Sequence, residues 1–244
     1  LLHAVAVVKA GVFTVLKVTV YIFGTDFILQ SGASDWLVWF AGATILIASL
    51  VAMTKDNLKA RLAYSTVSQL SYIVLGALLA TQASILGSIM HIAMHAFAKI
   101  TLFFGAGAIL VAAHKTEISD MAGLGRAMPV TFGAFFIASL SMIGLPPFGG
   151  MWSKWYLAMG TLEAGQWLLL TVLLASSLLN IAYLLPVPVR AFFGKARDGT
   201  VYTQVREAPA SCLAAMIITS LACLVLFFYP EPFYQLAMTV AGAK

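Results

Sequence analysis

Polar positions are scarce along this chain and fall in short clusters. Between the clusters run apolar stretches long enough to cross a bilayer, which takes about 20 residues as a helix. The pattern predicts seven crossings, over about 1–23, 35–53, 62–80, 85–112, 130–160, 167–190 and 210–228,. The expected fold class is therefore all-α, a polytopic transmembrane helix bundle. One crossing is interrupted. In "IGLPPFGGMWSKWYL", Pro146 and Pro147 each lack a backbone donor, and Gly144, Gly149 and Gly150 loosen the chain around them,. That stretch reads as a broken transmembrane helix, whose freed carbonyls and half-helix ends can bind or pass ions at membrane depth.

Composition supports this reading and excludes a soluble domain. Of the 244 residues 61% are hydrophobic and only 9% are charged, too few to cover a water-facing surface. The first residues, Leu1-Leu2-His3, offer neither an initiator Met nor a basic leader before a cleavage site,. This start reads as a piece of a longer protein. Cys212 and Cys223 stand about three helical turns apart in one apolar segment, too far for a disulfide, and read as core packing,.

Charge then orients the chain. The loops after the second, fourth and sixth crossings hold Lys55, Lys59, Arg61, Lys115, Arg126, Arg190, Lys195, Arg197 and Arg206. Those after the first, third and fifth hold Asp26, Asp35 and Glu163 and no Lys or Arg. By the positive-inside rule the basic side is cytoplasmic and the C-terminus lies outside.

Four lysines remain inside the crossings: Lys9, Lys17, Lys99 and Lys154. A lysine at the bilayer centre costs about 2.5 kcal/mol or more, so such residues face a bundle interior or a hydrated cavity and often mark ion pathways. "IMHIAMHAFAKITLFF" places His91, His95 and Lys99 four residues apart. On a helix they form one stripe, rising about 6 Å and drifting about 40° per step. Histidine gains and loses protons near neutral pH, which suits a proton relay. Helix–helix hydrogen bonding for the histidines and snorkelling for the lysine are the structural alternatives. A metal site would need a third ligand. Lys17 reads as snorkelling, and Lys154, between Trp152 and Trp155, either gates the outer end of a route or snorkels in an aromatic belt. At the basic end, "KDNLKARLAYSTVSQLSY" offers Asp56 and Lys59 as an entrance, with Ser65, Thr66, Ser68, Gln69 and Ser71 continuing polar groups up the helix. His3 is a further candidate at that end. Phosphate-binding loops, dinucleotide fingerprints, iron–sulfur cysteine clusters and K+ filter loops are all absent from the sequence,.

These motifs carry a resemblance. "LLHAVAVVKAGVF", "DNLKARLAYSTVSQLSY", "HIAMHAFAKITLFFGAGAIL", "GLPPFGGMWSKWYL" and "SSLLNIAYLLPVPVRAFFG" resemble the antiporter-like family shared by Mrp-type multisubunit Na+/H+ antiporters and the proton-pumping membrane arm of respiratory complex I. Within it, "HAVAVVKAG", "MAGLGRAMP" and "SLLNIAYLLPVPVRAFF" look most like the D-type branch of the Mrp subunits.

The resemblance implies a fourteen-helix fold with two inverted repeats. Residues 1–23 would close the first repeat, 35–190 form the second and 210–228 the last helix. It implies proton-path roles for Lys9, His91, His95, Lys99 and Lys154. The partners it implies are other membrane subunits, H+, lipid and, in an antiporter, Na+. It implies no cofactor, no nucleic acid and no catalytic chemistry in this chain. The family's glutamate and its lysine partner would lie before Leu1. Asn57 stands where some complex I relatives carry an acid, with Asp56 beside it.

The expected function is a proton-translocating subunit of a multisubunit Na+/H+ antiporter. The alternatives are a redox-driven pump subunit of complex I or a membrane-bound hydrogenase, a subunit that helps drive CO2 uptake, and a structural scaffold whose lysines dock partner subunits.

Overall fold

The computed structural model describes residues 6–32, 34–195, 202 and 205–242. His3 and Arg197 lie outside the described residues. Helix α1 (Val8–Lys17) continues through a π-helical turn to Phe23. Gly24, at φ 81°, ends it, and the chain turns by 85° into the short α2 (Thr25–Ser31). Helices α3 (Ser34–Thr54), α4 (Leu58–Leu79) and α5 (Gln82–Ala113) follow. Side chains mark two of the starts: Asn57 accepts from Ala60 N at 3.1 Å and Thr81 from Ser84 N at 3.2 Å,.

The expected interruption divides the next stretch into α6 (Pro129–Ile143) and α7 (Gly150–Glu163). Gly144 takes a left-handed φ of 90° and stops α6, and the prolines beyond it cannot continue the ladder,. Helix α8 (Trp167–Leu184) runs into α9 (Pro186–Phe193), and α10 (Ala210–Phe228) and α11 (Glu231–Ala241) complete the chain.

Five of the described segments are long and apolar enough to cross a membrane, and the bent pair α1–α2 makes a sixth. The fifth expected crossing, over 130–160, is represented by α6 and α7, of 15 and 14 residues, each too short to cross alone. Two helices, α2 and α11, were not expected. Both follow the end of an apolar stretch and are short.

Helix α5 is the hub, packing against α4, α6, α7, α10 and α11, while α3 lies against α4 and α8. Trp36, Phe40, Leu178, Ile218 and Phe228 point outward, as expected where the solvent is lipid. The interior holds hydroxyls, amides, imidazoles and lysines. Among the described residues no carboxylate is buried.

The loops at the basic end hold one another. Asn57 and Glu117 form an antiparallel bridge, flanked by Leu58 N to Thr116 O at 2.9 Å and Ile118 N to Asp56 O at 3.0 Å. Glu207, from the segment before α10, caps α6: its Oε1 accepts from Val130 N at 2.6 Å and its Oε2 from Thr131 Oγ1 at 2.6 Å. The sequence gives no local sign of this cap, because its donor and acceptor are more than seventy positions apart.

Candidate proton-conducting site

Helix α5 is continuous through the His91, His95 and Lys99 region, so its backbone groups are already paired within the helix,. Its ionisable side chains must find partners on neighbouring helices. Those side chains share the inward face, with exposures of 3%, 1% and 0%. The predicted stripe exists, but its hydrogen bonds run sideways, not along it. Lys99 Nζ donates to Leu62 O at 3.0 Å and to Ser65 Oγ at 2.9 Å, both on α4. One nitrogen of His91, Nδ1, is 2.8 Å from Ser153 Oγ on α7, and the other, Nε2, is 3.1 Å from Gln69 Oε1 on α4. His95 lies between them. Its ring centroid is 5.8 Å from that of His91, and neither ring nitrogen has a hydrogen-bond partner among the described residues.

The two ends of the stripe are joined through α4 and α8. Ser65 Oγ is 3.2 Å from Tyr183 Oη. The Tyr183 hydroxyl is hydrogen-bonded to Asn180 Oδ1. Gln69 Nε2 donates to the same oxygen at 3.3 Å and closes the chain to His91. A second cluster of hydroxyls lies alongside: Ser68 Oγ is 2.8 Å from Ser49 Oγ and 3.3 Å from Ser176 Oγ, and donates to Ile45 O at 3.0 Å. This cluster ties α3, α4 and α8 together.

Lys154 occupies the break. Its Nζ donates to Ile143 O, the last residue of α6, at 3.0 Å, and to Ser177 Oγ on α8 at 3.1 Å. The ammonium also sits 5.3 Å from the centroid of the Tyr72 ring, which stacks on His91 at 5.7 Å. A cation at the C-terminal end of α6 is favoured by the unpaired carbonyls there. The α6–α7 segment is anchored to α10 by Gly149 N to Cys223 O at 2.8 Å and Trp152 Nε1 to Phe227 O at 3.0 Å. Gly150 is required by close approach, since a Cβ there would lie 1.9 Å from Ser141 O.

Lys9 is buried on α1, which packs on α4. His95 lies within electrostatic range of Lys9, His91, Lys99 and Lys154. Lys17 is exposed.

The entrance candidates are not part of this set. Lys59 and Asp56 are exposed at the end of the bundle, and Asp56 Oδ2 is occupied by the Ser119 hydroxyl at 2.6 Å. Ser68 is buried in the hydroxyl cluster, one helical position from Gln69. Tyr72, Ser153, Ser177, Asn180 and Tyr183 were not singled out from the sequence. The available signal was an Asn and a Tyr three residues apart in the otherwise apolar α8,.

Comparison with known proteins identifies the family and the fold. The family described as NADH:quinone oxidoreductase/Mrp antiporter, TM, matches residues 1–180. The N-type subunit of the NADH-quinone oxidoreductase of Desulforudis audaxviator is 39% identical over 80% of this chain and 41% of its own length. The D-type subunit of the Na(+)/H(+) antiporter of Alkalihalophilus pseudofirmus is 29% identical over 96% of this chain and 46% of its own length. The chain thus spans less than half the length of these relatives. A chain of the Mrp complex from Dietzia sp. DQ12-45-1b superposes with a TM-score of 0.86 at 24% identity, over 96% of this chain and 51% of that one.

Proposed function

The chain belongs to the NADH:quinone oxidoreductase/Mrp antiporter family of transmembrane subunits, and on that premise we propose that it conducts protons through the membrane as one subunit of a multisubunit Na+/H+ antiporter. One observation carries the reading. Two buried lysines and two buried histidines share one interior with the half-buried Lys154, and among the described residues no buried carboxylate accompanies them. Sodium is held by oxygen ligands, preferably charged, whereas buried lysine and histidine exchange protons. Each protonation alters the field at the next group, which is strong at low dielectric.

Protons enter from the basic, cytoplasmic end, pass among Lys9, Lys99 and the histidines, and leave near Lys154 at the helix break. In this reading the crossings are the eighth to fourteenth of a longer subunit. Residues 1–23 end a first repeat, 35–190 form the second and 210–228 the last helix. Other membrane subunits are its partners.

A second reading has a specific observation behind it. The 39% identity to a NADH-quinone oxidoreductase subunit favours the same proton route driven by redox partners in place of a sodium gradient.

Two measurements test these readings in the native full-length subunit within its complex. Mass spectrometry of co-purifying subunits separates them: small hydrophobic partners alone support the antiporter, and flavin or iron–sulfur subunits support the redox pump. Dye-reported proton movement in inverted vesicles then tests the route itself. With Lys99→Ala, translocation per assembled complex is expected to collapse. If it persists at the normal rate, the lysine is a docking or structural residue and proton conduction here is overturned.

A further inference from the structure

The His91 imidazole is held at both nitrogens by groups of different chemistry. Ser153 Oγ, 2.8 Å from Nδ1, can donate or accept,. Gln69 Oε1, 3.1 Å from Nε2, is a carbonyl oxygen and only accepts,. Which face Gln69 presents depends on its other end, where Nε2 donates to Asn180 Oδ1 at 3.3 Å. Asn180 presents oxygen because Tyr183 donates to that atom as well.

The network extends to Lys99, which donates to Ser65 Oγ at 2.9 Å, and Tyr183 Oη lies 3.2 Å from the same oxygen. Tyr183 Oη is in turn hydrogen-bonded to Asn180 Oδ1. Every member is buried to at least nine-tenths, and Asn180 Nδ2 has no hydrogen-bond partner among the described residues.

We propose that Gln69 and Asn180 are positioning residues that fix the tautomer of His91: Nε2 keeps its proton against Gln69, and Nδ1, facing Ser153 at the start of α7, is the nitrogen that takes up and releases one. This inference rests on the proton-conduction reading for its use, though not for its test. A carboxamide neither gains nor loses a proton near neutral pH, so the Nε2 proton has no onward route through Gln69. His91 therefore exchanges toward the helix break and Lys154, although a continuous hydrogen-bonded chain joins it to Lys99.

The test is nitrogen NMR of the 15N-histidine-labelled native complex, where the shifts of the two ring nitrogens distinguish the tautomers and a His91→Asn sample assigns the signal. The neutral His91 signal is expected to be that of the Nε2–H form. Asn180→Ala, which leaves His91 and Gln69 in place but frees the amide to turn over, is expected to give both tautomers. Gln69→Leu is expected to do the same, while Gln69→Glu restores the acceptor and the single form. A wild-type signal in the Nδ1–H form overturns the proposal, as does an unchanged signal in both Asn180→Ala and Gln69→Leu. Proton translocation by Lys99→Ala is read separately. Its persistence would defeat the conduction reading while leaving the tautomer result standing, and a wrong tautomer with Lys99-dependent transport would defeat this inference alone.

Discussion

Lys99 and Lys154 solve one problem in two ways. Each places an ammonium among apolar helices, where an unpaired charge is costly. Lys99 sits in the unbroken α5, whose own carbonyls are committed to the helix, and it takes its acceptors from α4. Lys154 follows a break, and the carbonyl it uses belongs to the end of α6 in its own interrupted crossing. The first lysine is fully buried and enclosed by another helix, and the second is half-buried and spans a gap. A continuous helix thus makes its lysine depend on the packing of neighbours. A broken helix brings its partner along.

The comparison can be broken at four points. The largest expected effect is at Lys99. Lys99→Arg has no space for a guanidinium in a site with 0% exposure. It should lower proton translocation about 100-fold, within the range a positioned proton-transferring group supplies. At Lys154 the alanine change should cost about tenfold, equivalent to ~1.4 kcal/mol, and Lys154→Arg should recover most of the rate. Equal tolerance of arginine at the two sites, measured in the same vesicle assay, would erase the distinction drawn between them.

Third comes the break itself. Gly150→Ala forces a Cβ to 1.9 Å from Ser141 O and should destabilise the subunit by about 1–3 kcal/mol, as overpacking does. A thermal melt of the purified complex would register it, and an unchanged Tm would mean that α6 and α7 move apart freely. The smallest effect is expected from Glu207→Ala, which removes the cap of α6 far from the lysines. Its loss should cost about 1 kcal/mol of stability and leave translocation per assembled complex unchanged. A fall in rate as large as that of Lys154→Ala would instead tie the start of α6 to conduction.

Much of this was legible before any fold was known. Hydropathy located the crossings to within a few residues of the described helices, and the paired prolines and glycines located the break. The four-residue spacing of His91, His95 and Lys99 placed them on one face, and that face is the buried one. Asp56 and Lys59 stayed ambiguous in the sequence for a plain reason: charge at a helix entrance looks the same whether it feeds a path or ties two loops. Here Asp56 ties to Ser119. Two short helices, α2 and α11, also escaped notice, because hydropathy over a spanning window has no signal for them.

The sequence by itself determined which segments enter the membrane, where one of them breaks, and which ionisable groups go in with them. These properties are sums over neighbouring residues, and lipid acts on each segment separately. Only the tertiary structure decided what those groups touch. Asn180 stands 111 positions from Gln69, Tyr183 118 from Ser65, and Ser153 62 from His91. Such pairs are set by how each helix is rotated and where it crosses its neighbours, and lipid, being as apolar as the helix exteriors, leaves that choice to packing and hydrogen bonds between helices.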